Sequence, residues 1–318
     1  MHIYDFQTLE MNMMEQTKSL KTILSKLQYP DDAKVMKQLV DQSLSVKSRM
    51  GRIKKKIVVL SGKGGVGKSM TTVNLALAFA RLGLNVGILD VDLNGPCVPK
   101  MLGMNGEKFV MTPEGAVPPV GPHGIKVASM EFFLKKDNPI QWKGSMDLSP
   151  VWLGMLEMNV IREFLADIVW GGLDLLLADL PPGAAADKPP AIANFIPELD
   201  GAVVVTTPSE VTGDVVKKSI TYTRDVGIRI LGLIENMSGY LCPDCHSENE
   251  LFEGDSEPLC REMDVRLLGR IPFSIAMSRA CDRGNPLSDP SDTAVSRFNG
   301  IAKALVDQVN IKIKKSGD

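Results

Sequence analysis

The clearest chemistry in the sequence lies in a glycine-rich stretch near residue 60. Residues 62–69 read Gly-Lys-Gly-Gly-Val-Gly-Lys-Ser, which matches the phosphate-binding loop pattern of glycine, four residues and Gly-Lys-Ser. An apolar run predicts a buried strand before the loop, and apolar residues at helical spacing predict a helix after it. Such a turn presents backbone N–H groups to an anion at the positive end of a helix. The sequence therefore predicts a nucleotide phosphate site, and a plain glycine-rich turn is the disfavoured alternative.

Two side chains of this loop have specific predicted roles. Lys68 is expected to place a positive charge on the β- and γ-phosphates, and Ser69 to offer a hydroxyl to Mg²⁺. The other residues expected to contact the nucleotide are Gly62, Lys63, Gly64, Gly65, Val66, Gly67 and Met70.

The bulk composition narrows the function classes. The chain has 318 residues, of which 44% are hydrophobic and 23% charged, as in ordinary globular proteins. A net charge of −2 gives no sign of a nucleic-acid partner, and no apolar run is long enough to predict a membrane span. Five cysteines do not suggest a disulfide framework. We therefore expect a cytoplasmic protein with reduced thiols or a metal site.

Strands and helices alternate from Ile57 onward, which predicts a doubly wound α/β fold: a mostly parallel sheet with helices on both faces and its ligand at the carboxyl ends of the strands. The predicted strands are 57–61, 86–90, 125–129, 174–179, 201–206, 229–234 and 266–271. The predicted helices are 69–82, about 150–169, 210–226, 274–282 and 291–308.

Three segments are predicted along the chain: an N-terminal helical and basic extension (1–56), a phosphate-loop ATPase domain (57–310) and a basic tail (311–318). The extension holds one short amphipathic helix near residues 20–27 and a second that begins at Asp31 and Asp32. Its basic run, which ends at Lys56, is interpreted as a solvated linker, with a docking patch as the alternative.

A second cluster of candidate ligands follows a strand late in the chain. Cys242 and Cys245 form a Cys-x-x-Cys pair, which can ligate one metal centre. Two thiolates do not complete a zinc site or a 4Fe–4S cluster, each of which takes four ligands. Two chains related by a two-fold axis would supply four thiolates. Zinc and a redox disulfide remain the alternatives at this point.

Several motifs together resemble one protein family. The loop has a second lysine, Lys63, and residues 90–96 read Asp-Val-Asp-Leu-Asn-Gly-Pro. A later apolar strand runs into Asp-Leu-Pro-Pro-Gly at 179–183, and Thr-Thr-Pro-Ser-Glu follows at 206–210. These motifs and the cysteine pair resemble the Mrp-type (ApbC-like) iron–sulfur carrier ATPases, relatives of MinD and the nitrogenase iron protein in the SIMIBI class. The resemblance covers roughly residues 55–310.

The resemblance implies a homodimer that sandwiches ATP. Lys63 would reach the partner's nucleotide, Asp92 would orient the attacking water, and Asp179 would hold Mg²⁺. Asp90 would assist near the metal, and Asn236 would recognise adenine through its amide. A 4Fe–4S cluster would bridge the two subunits on Cys242 and Cys245. The implied activity is ATP hydrolysis coupled to cluster assembly or transfer, with a cluster-assembly scaffold and apo iron–sulfur proteins as partners.

Two departures from the family pattern bear on activity. Met70 and Ala184 stand where the family has threonine, so two hydroxyls near the phosphates are missing. A low hydrolysis rate or an inactive scaffold is therefore one alternative. A MinD- or ParA-like spatial-organising ATPase, which binds membrane or DNA, is the alternative of another class.

Overall fold

The computed structural model describes residues 30–92, 95–133, 150–181, 188–242, 245, 247–286 and 291–313. The chain divides into two compact units, residues 1–45 and 46–318. In the first unit the described residues form only the beginning of helix α1 (Pro30–Met50), which starts next to the predicted Asp31. The predicted helix near residues 20–27 and Ala184 lie outside the described residues.

The second unit is built on a mostly parallel sheet. Its strands, in chain order, are β1 (Ile53–Leu60), β2 (Val86–Asp90), β3 (Val110–Thr112), β4 (Gly115–Val117), β5 (Lys126–Ser129), β6 (Leu173–Asp179), β7 (Gly201–Thr206), β8 (Ile230–Leu241), β9 (Glu248–Asn249) and β10 (Leu267–Phe273). The main sheet has the order β10-β8-β7-β1-β6-β2-β5, and β9 adds to β8. All pairs in it are parallel except β8–β9, whereas β3 and β4 form a separate antiparallel hairpin.

Helices connect these strands. They are α2 (Lys68–Arg81), α3 (Val98–Met101), α4 (Pro150–Asp167), α5 (Lys188–Ala193), α6 (Glu210–Asp225), α7 (Ser256–Glu262), α8 (Ile275–Asp282) and α9 (Thr293–Gln308). The predicted doubly wound α/β fold is thus confirmed. The inner strands β2, β6 and β7 are buried along their whole length, which explains their continuous apolar sequence. In the described part of the chain, every helix is too short or too polar to cross a membrane.

One prediction about the start of the sheet is wrong. β1 begins at Ile53 rather than at residue 57, so the end of the basic run belongs to the central strand and is not a linker. Carboxylates on neighbouring segments make this possible: the Lys54 amine lies 2.8 Å from an Asp174 oxygen, and the Lys55 amine 2.8 Å from an Asp200 oxygen. Lys56 is buried, and desolvation lowers the pKa of its amine.

Candidate functional site

The site is assembled where adjacent parallel strands end. β1 runs directly into the phosphate-binding loop, β6 lies next to β1 in the sheet, and β2 lies next to β6. Asp179 at the end of β6 pairs with Val59 on one side and with Asp90 on the other, and Asp90 pairs with Ser129 of β5. The sheet register therefore brings acids from distant parts of the sequence to one edge, beside the loop.

Glycine at position 67 is required by both backbone and space. Gly67 has a φ of 80°, in the left-handed region that glycine adopts without strain, and helix α2 begins at the next residue. A Cβ at this position would collide with the side-chain amide nitrogen of Asn236. That nitrogen donates a hydrogen bond of 2.8 Å to the carbonyl oxygen of Val66, so Asn236 fastens β8 to the loop.

Asp179 is the centre of a compact polar cluster. The Lys68 amine lies 2.7 Å from Asp179 Oδ1, although both side chains are almost entirely buried, at 6% and 1% exposure. The Ser69 hydroxyl donates to Asp179 Oδ2 at 2.5 Å, and the Thr72 hydroxyl donates to Oδ1 at 2.7 Å. These contacts compensate the burial of the carboxylate and fix both of its oxygens.

Asp90 is a second buried carboxyl beside this cluster. Burial, together with the neighbouring Asp179 carboxylate, raises the pKa of Asp90 to about 8. Its oxygens accept hydrogen bonds from the backbone N–H groups of Asp92 and Val98 and from the Ser129 hydroxyl. Two closely spaced carboxyl groups next to a hydroxyl form a set of oxygen donors that suits a hard divalent cation.

The two other residues predicted to act in catalysis are more exposed. Asp92 is half-buried in the turn after β2, where its Oδ1 accepts a hydrogen bond from the Gly95 N–H at 3.1 Å. Lys63 has an exposed side chain, and its carbonyl oxygen accepts the Ser61 hydroxyl at 3.0 Å.

A cavity of about 170 Å³ opens beside the loop. It brings Asn236 and Met70, which the sequence assigned to nucleotide binding, together with Gly67 of the loop. Its other walls are mostly apolar: Met101, Met237, Pro272, Phe273, Ser274, Met277, Ser278, Cys281 and Asp282. This lining would suit the flat ring of a nucleotide base, with the Asn236 amide beside it.

An ion pair with a buried carboxylate holds β8 beside this cavity. Glu235, which precedes Asn236, is 2% exposed and accepts a hydrogen bond of 3.0 Å from Arg270 of β10. Its other oxygen accepts the Ser256 N–H at 2.8 Å. These contacts tie β8 to β10 and to the start of α7.

The cysteine pair lies on a different element, the turn between β8 and β9. The stem of this hairpin pairs Tyr240 with Asn249 and Leu241 with Glu248. The Cys242 N–H then donates to the Ser247 carbonyl oxygen at 2.9 Å. Cys242 is half-buried and Cys245 is exposed, and both are free thiols.

The Cys245 thiol has an unusual acidity for an exposed group. Its sulfur lies 3.0 Å from the Ser247 hydroxyl oxygen. Hydrogen bonds from Ser247, and then from Cys242, lower the pKa of Cys245 to about 7. Part of it is therefore thiolate, the form that binds metal, at neutral pH. Within the described ranges no three His, Cys, Asp or Glu side chains group together as a metal site.

Two residues at the site were not identified from the sequence. Thr72 follows Lys68 by four positions, so it lies on the same face of α2, and that spacing is the signal that could have found it. The Cys97 thiol hydrogen-bonds to Ser69, and burial raises its pKa. No sequence signal pointed to that contact.

Comparisons with known proteins agree with this architecture. The family model described as "NUBPL iron-transfer P-loop NTPase" matches residues 52–306. An "Iron-sulfur cluster carrier protein" of Methanocaldococcus jannaschii is 42% identical over 293 residues, 92% of this chain and 96% of the relative. A protein of the same name from Saccharolobus solfataricus is 42% identical and covers 87% of this chain and 91% of its own length.

Solved structures are similar as well. A nucleotide-binding protein from Archaeoglobus fulgidus in complex with ADP has a TM-score of 0.64 and 35% identity, covering 76% of this chain and 91% of that one. MinD of Pyrococcus horikoshii with Mg-ADP has a TM-score of 0.56 and 21% identity over 82% of this chain and 99% of that one, a similarity of fold alone. The predicted family is confirmed: this chain belongs to the iron-transfer phosphate-loop NTPases.

Proposed function

We propose that two copies of this chain together bind MgATP and carry a 4Fe–4S cluster, which they receive from a cluster-assembly scaffold and deliver to apoproteins in the cytoplasm. The observation that carries the proposal is the pair of free thiols in one turn, directly after the strand that supplies Asn236. The curated relatives named as iron–sulfur cluster carriers support the same cargo.

The need for two copies follows from the number of thiols. Each chain offers Cys242 and Cys245 in one accessible turn, and a cubane cluster usually takes four thiolates. A symmetric pair of turns would supply all four. Lys63 supports the same arrangement, because its side chain is exposed and lies outside the buried cluster around Lys68, so in a pair of chains it would reach the neighbouring nucleotide.

The residues around Asp179 fit a nucleotide with Mg²⁺. Ser69, Asp179 and Asp90 would hold the cation, which when bound neutralises charge on the phosphate oxygens. Lys68 would then turn from Asp179 to the β- and γ-phosphates, and Asp92 would orient the attacking water. The loop N–H groups and Lys63 would stabilise the charge that builds up on the transferred phosphoryl group.

Coupling between nucleotide and cargo is proposed to act through the shared interface. Closure of two copies around ATP would change the distance between their cysteine turns. A nucleotide can shift such an equilibrium only through its different affinity for the open and closed pair.

The test compares anaerobically reconstituted protein with its Cys242→Ala variant. We expect the wild type to bind iron with the visible absorption of a 4Fe–4S cluster, and the variant to lose nearly all of it. Cys260→Ala is the control, because Cys260 is buried in α7 and lies outside the turn. Equal iron content and equal transfer to an apoprotein by Cys242→Ala would contradict the carrier proposal.

The same preparations separate the alternatives. Bound zinc without visible absorption would indicate a structural metal site. ATP-dependent pelleting with lipid vesicles or DNA that is unaffected by Cys242→Ala would favour a spatial-organising ATPase.

A further inference from the structure

Strand β8 connects the two halves of the proposed site. Asn236 lies in it, fastened to the phosphate loop, and Cys242 follows its last residue, Leu241. At about 3.3 Å per residue, the six steps from Asn236 to Cys242 span no more than about 20 Å. A change in the path of this strand would therefore move the thiols relative to the loop.

Met237 interrupts the regular course of this strand. Consecutive residues of a strand point to opposite faces, yet Asn236 and Met237 both line the cavity beside the loop. The backbone achieves this because Met237 has a φ of 58°, in the left-handed region. That region is unfavourable for a residue with a side chain such as methionine, so contacts around Met237 must hold it there.

The pairing with β10 shows the same interruption. Ile271 pairs with Asn236 and Phe273 pairs with Tyr240, so four steps along β8 lie against two along β10. Phe273 also lines the cavity. The irregular stretch thus has the cavity on one side and Tyr240, the first residue of the hairpin stem, at its far end.

The stem itself is tightly packed. A Cβ at Gly239 would lie 2.8 Å from the Asn249 carbonyl oxygen, so the two arms of the hairpin approach closely. Tyr240 and Leu241 pair with β9, and Cys242 continues the pairing with Ser247. A rotation at Met237 would therefore carry the stem and the thiol turn together.

We propose that Met237 is a hinge: a purine base in the cavity holds it in the left-handed conformation and thereby fixes the position of the turn that carries Cys242 and Cys245. The inference rests on the proposed function only in taking the cavity as the base site. A base in the cavity would contact Met237 and Phe273, which line it, whereas the phosphates would bind at the loop. An unfavoured backbone conformation is a suitable switch, because a small gain in contacts decides its population.

The test uses the cluster-free full-length protein and measures how fast Cys242 and Cys245 react with an alkylating reagent. Peptide mapping separates these two thiols from Cys97, Cys260 and Cys281. Saturating MgATP is compared with saturating magnesium tripolyphosphate, which has the phosphates and lacks the base. We expect MgATP to change the two rates by about fivefold, the lower end of common couplings between sites, and tripolyphosphate by less than about twofold.

A variant tests the hinge itself. Met237→Gly removes the contact with the base and makes the left-handed conformation cost-free, so MgATP should no longer change the rates. Asn310→Gly is the matched control, because Asn310 is also left-handed, with a φ of 55°, and is an exposed residue after α9. It should retain the full effect of MgATP.

Three results would overturn the hinge. They are an equal effect of MgATP and tripolyphosphate, an unchanged MgATP effect in Met237→Gly, and a Met237→Gly protein that no longer binds MgATP although its loop and Asn236 are intact. No cluster is needed in this assay, so its failure is distinguishable from a failure of the carrier proposal, which is decided by iron content.

Discussion

The phosphate-loop end and the cysteine turn are built in opposite ways. Lys68, Asp179 and Asp90 are almost completely buried, and each is held by contacts with the others or with hydroxyl and N–H groups. Cys245 is exposed, and its contacts come from its own short turn. The contacts that hold these buried charges all come from one chain. In the carrier proposal the second region supplies two of the four thiolates of a cluster, and its exposure suits a cargo that is loaded and released.

The largest effect is expected at the phosphate-loop end. Lys68→Ala removes the charge nearest the transferred phosphate, so we expect ATP hydrolysis to fall about 100-fold or more. Phosphate release at saturating ATP measures it. Lys217→Ala, which removes a surface ion pair with Glu262, is the control and should hydrolyse ATP at the wild-type rate. Equal rates in wild type and Lys68→Ala would show that this chain is an inactive scaffold.

The next prediction concerns the cost of burying two acids. The folded protein holds the Asp90 proton up to about pH 8, whereas the unfolded chain releases it near pH 4. The folded state therefore binds one more proton between these values, and this contribution to stability is present below pH 4 and is lost as the pH rises through 8. In nucleotide-free protein, the free energy of unfolding should fall with pH by up to about 1.4 kcal/mol per unit more steeply than in Asp90→Asn.

Urea unfolding between pH 5 and pH 7 gives this slope. Glu107→Gln changes an exposed carboxylate and should leave the slope as in the wild type. The slope is the informative quantity, because an amide at position 90 also alters hydrogen bonds to Val98 and Ser129. Identical slopes for wild type and Asp90→Asn would contradict the raised pKa.

A third prediction concerns the cysteine turn. Ser247→Ala removes the hydrogen bond that contributes most to the low pKa of Cys245, so the pKa should rise from about 7 toward the ordinary 9.0. The alkylation rate of Cys245, followed against pH in cluster-free protein, should show its midpoint at higher pH. Ser238→Ala is the control, because the Ser238 hydroxyl hydrogen-bonds to Glu248 instead. The midpoint of Cys245 alkylation should be unchanged in this variant. An unmoved midpoint in Ser247→Ala would mean that the turn does not tune this thiol.

The smallest effect is expected at the opposite end of the sheet. Lys54→Met breaks an ion pair with Asp174 in which the lysine side chain is 73% exposed, so the stability should fall by only about 0.2–1 kcal/mol. Urea unfolding at neutral pH measures it, beside Lys303→Met on the exposed face of α9. A loss above about 2 kcal/mol would mean that this pair behaves like the buried charges around Asp179.

Much of this architecture could be predicted because its causes are local. The phosphate loop, the apolar strands and Asp179 at a strand end follow from spacing and hydropathy. The prediction started β1 too late, because three consecutive lysines, Lys54, Lys55 and Lys56, were assigned to a linker. The carboxylates that pair with Lys54 and Lys55 are more than 100 residues away in sequence, so local sequence gave no sign of them. The left-handed Met237 had no sequence signal, since the contacts that hold it come from β10 and the cavity.

The early start of β1 matters to anyone who prepares a shortened form of this protein. Expression from residue 57, where the hydrophobic segment begins, would delete the buried Ile53 and the paired positions Ile53–Leu173 and Lys55–Leu175 in the middle of the sheet. It would also remove Lys54 and Lys55, which form ion pairs with Asp174 and Asp200. A fragment that starts at Val46 retains all of these, and is the shorter form to make for crystallisation or binding assays.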